Sequence, residues 1–126
     1  MFHHEGFLAW LEALDKRHLL GKVHVLAGVF PLRSLRVARH MARQVPGVVI
    51  PEAVLKRLEE GEDAQRQEET GIQMAVETLR ELRRTPGVRG DHIMAGQWAS
   101  VVPRLLDEAG FPGVDPADGR AAMEGE

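Results

Sequence analysis

The chain has 126 residues, a formal net charge of −3 and no cysteine. That length suits one domain or part of one, and a 44% hydrophobic content excludes wholesale disorder. Without cysteine there is no disulfide, thiolate zinc site, iron–sulfur cluster or cysteine nucleophile. The near-neutral balance gives no basic surface of the kind that holds nucleic acid. No window approaches about 18 uninterrupted apolar residues, so no membrane span is expected. The start, Met1-Phe2-His3-His4-Glu5, lacks the basic and apolar regions of a secretory signal. Together these features lead us to expect a cytoplasmic protein.

The first predicted element is a helix over 7–20, with Phe7, Leu8, Leu11 and Leu14 at helical spacing and Gly21 as its terminator. Val23 to Ala27 is short, β-branched at two positions and flanked by glycines, which predicts a buried strand. Gly28 and Pro31 then break it into a loop. Ser34 is a good N-cap for a helix over 35–44, whose apolar positions include Leu35, Ala38 and Met41. Arg36, Arg39 and Arg43 form a basic face on that helix, and the commoner fate of such a face is solvation. Val48 to Ile50 reads as a short extended piece or part of a connection. Pro51 fits the first position of a helix ending near Glu60.

A long helix is predicted over 64–84, with Ile72, Ala75, Val76, Leu79 and Leu82 on its apolar face. Gly71 weakens it by about 1 kcal/mol relative to alanine. A second short strand lies within Val88 to Gly96, centred on His92 to Met94. A last helix runs from Trp98 to Ala109, with Pro103 in its early turns. The domain is expected to cover residues 1–111, and residues 112–126 read as a disordered acidic tail.

Helices alternating with strands argue for a parallel α/β arrangement. Only two strands are evident, however, and a parallel pair leaves two open edges and wide apolar faces. The expected fold is therefore α/β, part of a larger body. No dinucleotide fingerprint, Walker loop, nucleophile elbow or zinc-helix motif occurs.

The run Leu26-Ala27-Gly28-Val29-Phe30-Pro31-Leu32-Arg33-Ser34 resembles the later part of methylenetetrahydrofolate reductase, where a barrel strand ends in a Gly-x-x-Pro turn before a helix. The resemblance continues through Val45 to Pro51, Leu55-Lys56-Arg57-Leu58, Gly71-Ile72, Gly90 to Met94 and Ala109-Gly110, covering about residues 2 to 111. It implies a partial TIM (β/α)8 barrel made of the last two strands with their surrounding helices. It also implies a flavin-dependent oxidoreductase of one-carbon metabolism, which uses FAD to reduce methylenetetrahydrofolate to methyltetrahydrofolate. NAD(P)H or another electron donor supplies the electrons; a corrinoid- or ferredoxin-linked relative is a further reading. A full barrel needs about 200 residues or more. The family's catalytic acid and most FAD contacts lie in earlier strands, and its substrate-contacting glutamine would align just before Met1. The chain alone is thus expected to bind no FAD and to be inactive. The alternative is a non-enzymatic interaction subunit that forms a homo-oligomer or completes a barrel with another chain.

The candidate substrate-binding residues are Gly28, Phe30, Gln97 and Trp98. Gly28 and Phe30 stand at the C-terminal end of a strand, where TIM barrels build active sites. The bland alternative is a strand-to-helix turn with Phe30 as a buried staple. Gln97 and Trp98 replace an asparagine–arginine pair found in many relatives; glutamine still hydrogen-bonds and tryptophan still stacks, but neither replaces a guanidinium. Met41 stands where some relatives carry a folate-packing phenylalanine, although a methionine there is usually core. His92 matches a family histidine and reads first as a satisfied core residue. No catalytic, cofactor-binding or metal residue is assigned, and His3, His4, His18, His24 and His40 have no ligand spacing.

Overall fold

The strongest apolar stripe in the sequence organises the fold. Ile72, Ala75, Val76, Leu79 and Leu82 recur every three or four residues and are all buried on one helix, α4 (Ala64–Arg83). Asp63 caps that helix, its carboxylate accepting from the Arg66 N–H at 2.8 Å. The stripe packs against the strand pair β1 (Val25–Val29) and β2 (Val88–Ile93) and against α5 (Val102–Glu108). Leu79 and Leu105 are fully buried there, so Leu79→Ala costs about 2–5 kcal/mol. The computed structural model describes residues 1–112, so the expected tail, apart from Pro112, lies outside the described residues.

The chain starts with α1 (His4–Lys16) and enters β1. It then crosses through α2 (Leu35–Gln44), α3 (Glu52–Glu59) and α4 before returning in β2. The strands are parallel neighbours, with Gly28 opposite His92 and Val29 opposite Ile93. A second core cluster, Leu32, Ala38 and Leu58, joins α2 and α3 to the loop after β1; Met41, Ile50 and Met74 pack against it. Two strands with helices on one face are a mixed α/β structure, and they do not close a barrel. Among the described residues no helix is long and apolar enough to cross a membrane.

Several boundaries differ from the sequence expectations. The first helix stops at Lys16 instead of near Leu20. His18 adopts a left-handed φ of 59°, the His18 N–H reaches the Asp15 carbonyl at 2.9 Å, and the Leu19 N–H reaches the Leu14 carbonyl at 3.0 Å. These two bonds satisfy the last carbonyls and close the helix four residues early. Strand β1 starts at Val25 and runs through Gly28, which the sequence placed in a loop. Pairing explains the extension: the Met94 N–H donates to the Val29 carbonyl at 2.8 Å and holds the strand to its end. Pro51 sits before the helix as its cap, with ψ 146°, instead of at its first position. The predicted last helix divides into a tight turn, Ala99–Val101, followed by α5. Pro103 has no N–H for the Ala99 carbonyl, which favours tighter winding before it.

Candidate functional site

The strand pair has two unlike faces. Val25, Ala27 and Val29 point into the helices and are buried. On the opposite face Leu26 is 63% exposed and Met94 41% exposed, and His92 is exposed beside Gly28. His92 is therefore a residue of the open face and not the core histidine expected from the sequence. Strand alternation decides this, because Ile93 takes the helix-facing position next to it.

Gly28 lies in this open layer. A Cβ there would approach the Met94 Cε to 2.7 Å, so glycine leaves room for the methionine tip. The Val29 carbonyl serves β2, and carbonyls alternate along a strand, so that of Gly28 faces the other edge. There it accepts a hydrogen bond from the Met1 amino group. Burial pushes that amino group below its ordinary pKa. On the edge of β1 away from β2, the Gly28 carbonyl is thus paired with the Met1 amino group.

Beyond the C-terminal ends of the strands, Phe30, Pro31, Arg33 and Val37 meet Gln97 and Trp98 around a cleft of about 250 Å³. Of the four predicted residues, Phe30, Gln97 and Trp98 come together here, whereas Gly28 belongs to the open sheet face. Trp98 is half-buried against the main core, and its backbone N–H donates to the Ala95 carbonyl at 3.0 Å. Gln97 is exposed. Met41 takes the core role, packed against the Leu32–Ala38–Leu58 cluster.

Sequence reasoning missed Arg33. Its guanidinium carbon lies 5.4 Å from the centroid of the Trp98 ring, and its Nε donates to Glu68 Oε1 at 2.6 Å. The available signal was its position in the loop leaving a strand's C-terminal end, where barrel enzymes place site residues. Asp91 was also missed. It lies on the helix side of β2, burial pushes its carboxyl above the ordinary carboxylate range, and Arg83 only partly opposes the shift. Its Oδ1 has no hydrogen-bond partner.

Arg36, Arg39 and Arg43 line a shallow groove of about 530 Å³ with His40. All four are exposed, and Arg39 lies 3.9 Å from Glu59. Among the described residues no group of three or more histidines and carboxylates is placed to hold a metal ion.

The cleft is too small for FAD. Pockets that enclose drug-sized ligands run to about 300–1,000 Å³, and FAD is a large dinucleotide. The residues that line this cleft therefore do not fit the flavin by themselves.

A family model described as methylenetetrahydrofolate reductase matches residues 1–110. No curated protein matches the chain.

Proposed function

The chain belongs to the methylenetetrahydrofolate reductase family, and on that premise we propose that it supplies two parallel strands and substrate-facing loops to a flavin-dependent reductase. The reaction is the reduction of methylenetetrahydrofolate to methyltetrahydrofolate in one-carbon metabolism. The observation that carries this reading is the meeting of Phe30 and Trp98 at one cleft beyond the C-terminal ends of adjacent parallel strands. That end of a (β/α)8 sheet is where catalytic loops gather.

In this reading the flavin, the electron donor (NAD(P)H or another reductant) and the acid–base chemistry belong to strands other than β1 and β2. The cleft's dimensions support this division, since it accommodates part of a substrate and not FAD. The chain by itself is then inactive.

A second reading is favoured by the open edge. Gly28 already bonds the Met1 amino group there, and Leu26 and Met94 face outward on the same sheet. An edge and face of this kind suit association with further strands, in a homo-oligomer or with a barrel-completing chain.

The test is complementation. The chain is mixed with a polypeptide that supplies the remaining strand–helix units of the family's barrel, and flavin-dependent reduction of methylenetetrahydrofolate is measured. Activity in the mixture and none in the chain alone is expected. Two pieces that fold and associate yet stay inert would contradict the proposal.

A further inference from the structure

Every arginine within α3, α4 and α5 is held. Arg57, Arg66 and Arg104 donate to glutamates, and Arg80 and Arg83 donate to backbone carbonyls. The three arginines of α2 differ. Among the described residues Arg36, Arg39 and Arg43 make no side-chain hydrogen bond, and their one ion pair joins Arg39 to Glu59 at 3.9 Å. Positions 36, 39, 40 and 43 fall within about 100° of arc on a helix. They lie opposite the buried Ala38 and line the shallow groove.

The arrangement works against α2. The helix carries no acidic residue. Arg36 stands in its first turn, where the helix dipole disfavours a cation. Arg39 follows Arg36 by three residues and precedes Arg43 by four, the spacings at which like charges repel. Local choices that oppose their own element concentrate at functional sites.

The shape of this face selects its occupant. The stripe is open and runs about 10.5 Å from Arg36 to Arg43, farther than a single small anion reaches. The acidic turn Glu59-Glu60-Gly61-Glu62-Asp63 borders it, since Gln67 of the groove donates to the Gly61 carbonyl at 3.3 Å. That border repels a long polyphosphate or an anionic membrane over about 8 Å at physiological salt. A short acidic stretch of protein escapes the repulsion. On an extended strand, carboxylates of one face recur about every 6.7 Å. On a helix they recur every three or four residues, about 5.3 Å, which is the interval of the arginine stripe itself.

We propose that the outward face of α2 docks an acidic α-helix of a partner protein. Arg36, Arg39 and Arg43 each donate to a carboxylate, as charged flanking positions do between paired helices. Exposed pairs are individually weak, so the contact is reversible and sensitive to salt. It shares no lining residue with the strand-end cleft and does not rest on the reductase reading.

The experiment uses the whole chain. The probe is a fluorescein-labelled, alanine-based peptide of about 15 residues, held helical by a hydrocarbon staple, with glutamates every third or fourth position along one face. The control has the same composition with its glutamates spread around the helix. By fluorescence anisotropy at low salt, the striped peptide is expected to bind about fivefold or more tightly than the control. Its binding should weaken about tenfold at physiological salt. Arg39→Glu with Arg43→Glu should abolish that binding and confer binding of a lysine-striped peptide. Arg36→Glu should weaken binding yet raise the urea midpoint, whereas a merely structural stripe would lose stability. Circular dichroism checks folding, and Arg39→Gln with Arg43→Gln decides if the double reversal does not fold. Equal affinity for the two acidic peptides, no binding by the parent chain, or binding that survives the substitutions would overturn the proposal. Tighter binding to a single-stranded oligonucleotide or to phosphatidylserine vesicles would overturn it as well.

Discussion

The backbone carbonyl of Leu32 occupies the space that a Cβ on Gly71 would need. The loop leaving β1 therefore rests directly on the middle of α4, backbone against backbone. Helix propensity alone makes Gly71→Ala stabilising by about 1 kcal/mol. The contact reverses the sign, because the obstacle is main chain and not a flexible side-chain tip. Gly71→Ala is expected to destabilise the chain by roughly 1–3 kcal/mol, read from urea midpoints. An unchanged or raised midpoint would show that the loop does not sit there.

Asp91 and Glu77 give opposite pH responses. Burial raises the Asp91 carboxyl in the folded chain, so the folded state holds its proton more tightly than the unfolded state does. Its penalty is absent at low pH and grows as pH rises from the ordinary carboxylate value through the raised one. Asp91→Asn should therefore raise stability at neutral pH, by under about 1 kcal/mol because water still screens the group. The gain should disappear in acid. A loss of stability at neutral pH would contradict the burial of an unpaired carboxylate.

Glu77 accepts from both terminal nitrogens of Arg57 at 2.7 Å, tying α4 to α3. This bond holds the Glu77 carboxyl below its ordinary range. Its contribution is present above the unfolded value and fades as pH falls through the lowered one. Arg57→Ala should cost less than about 1 kcal/mol at neutral pH, since both side chains are partly exposed. The cost should shrink in acid. A cost that does not vary with pH would assign Arg57 a packing role instead.

The open face of the sheet predicts association. Leu26 points away from the helices on that face, so Leu26→Glu should change folding stability by no more than about 0.5 kcal/mol. It should also shift the chain toward lower mass in light scattering at high concentration. A parent chain that stays monomeric at every concentration would count against association through this face.

Much of the helical framework was legible because it is local. The stripe from Ile72 to Leu82 and the caps Ser34 and Asp63 carry their own periodicity and hydrogen-bonding chemistry. The parallel pairing of the two short strands followed from their alternation with helices. What escaped depends on partners distant in sequence. Gly28 reads as a breaker until Met94 is seen filling the space beside it. The turn at His18 is local, but no compositional mark announces its left-handed backbone. The faces of β2 are obscured by Gly90 and Asp91, so His92 could be assigned to either side. At the cleft, Phe30 was found from its position after a strand, and Gln97 and Trp98 from the family resemblance. Arg33 was missed because its meeting with Trp98 joins loops from two strands.

The most direct measurement is FAD binding, followed by visible absorption and flavin fluorescence, for the chain alone and after addition of the remaining barrel strands. The account predicts a colourless chain with no saturable flavin binding, and flavin uptake by the complemented assembly. Stoichiometric flavin on the isolated chain, or none on a folded and associated assembly, would contradict it.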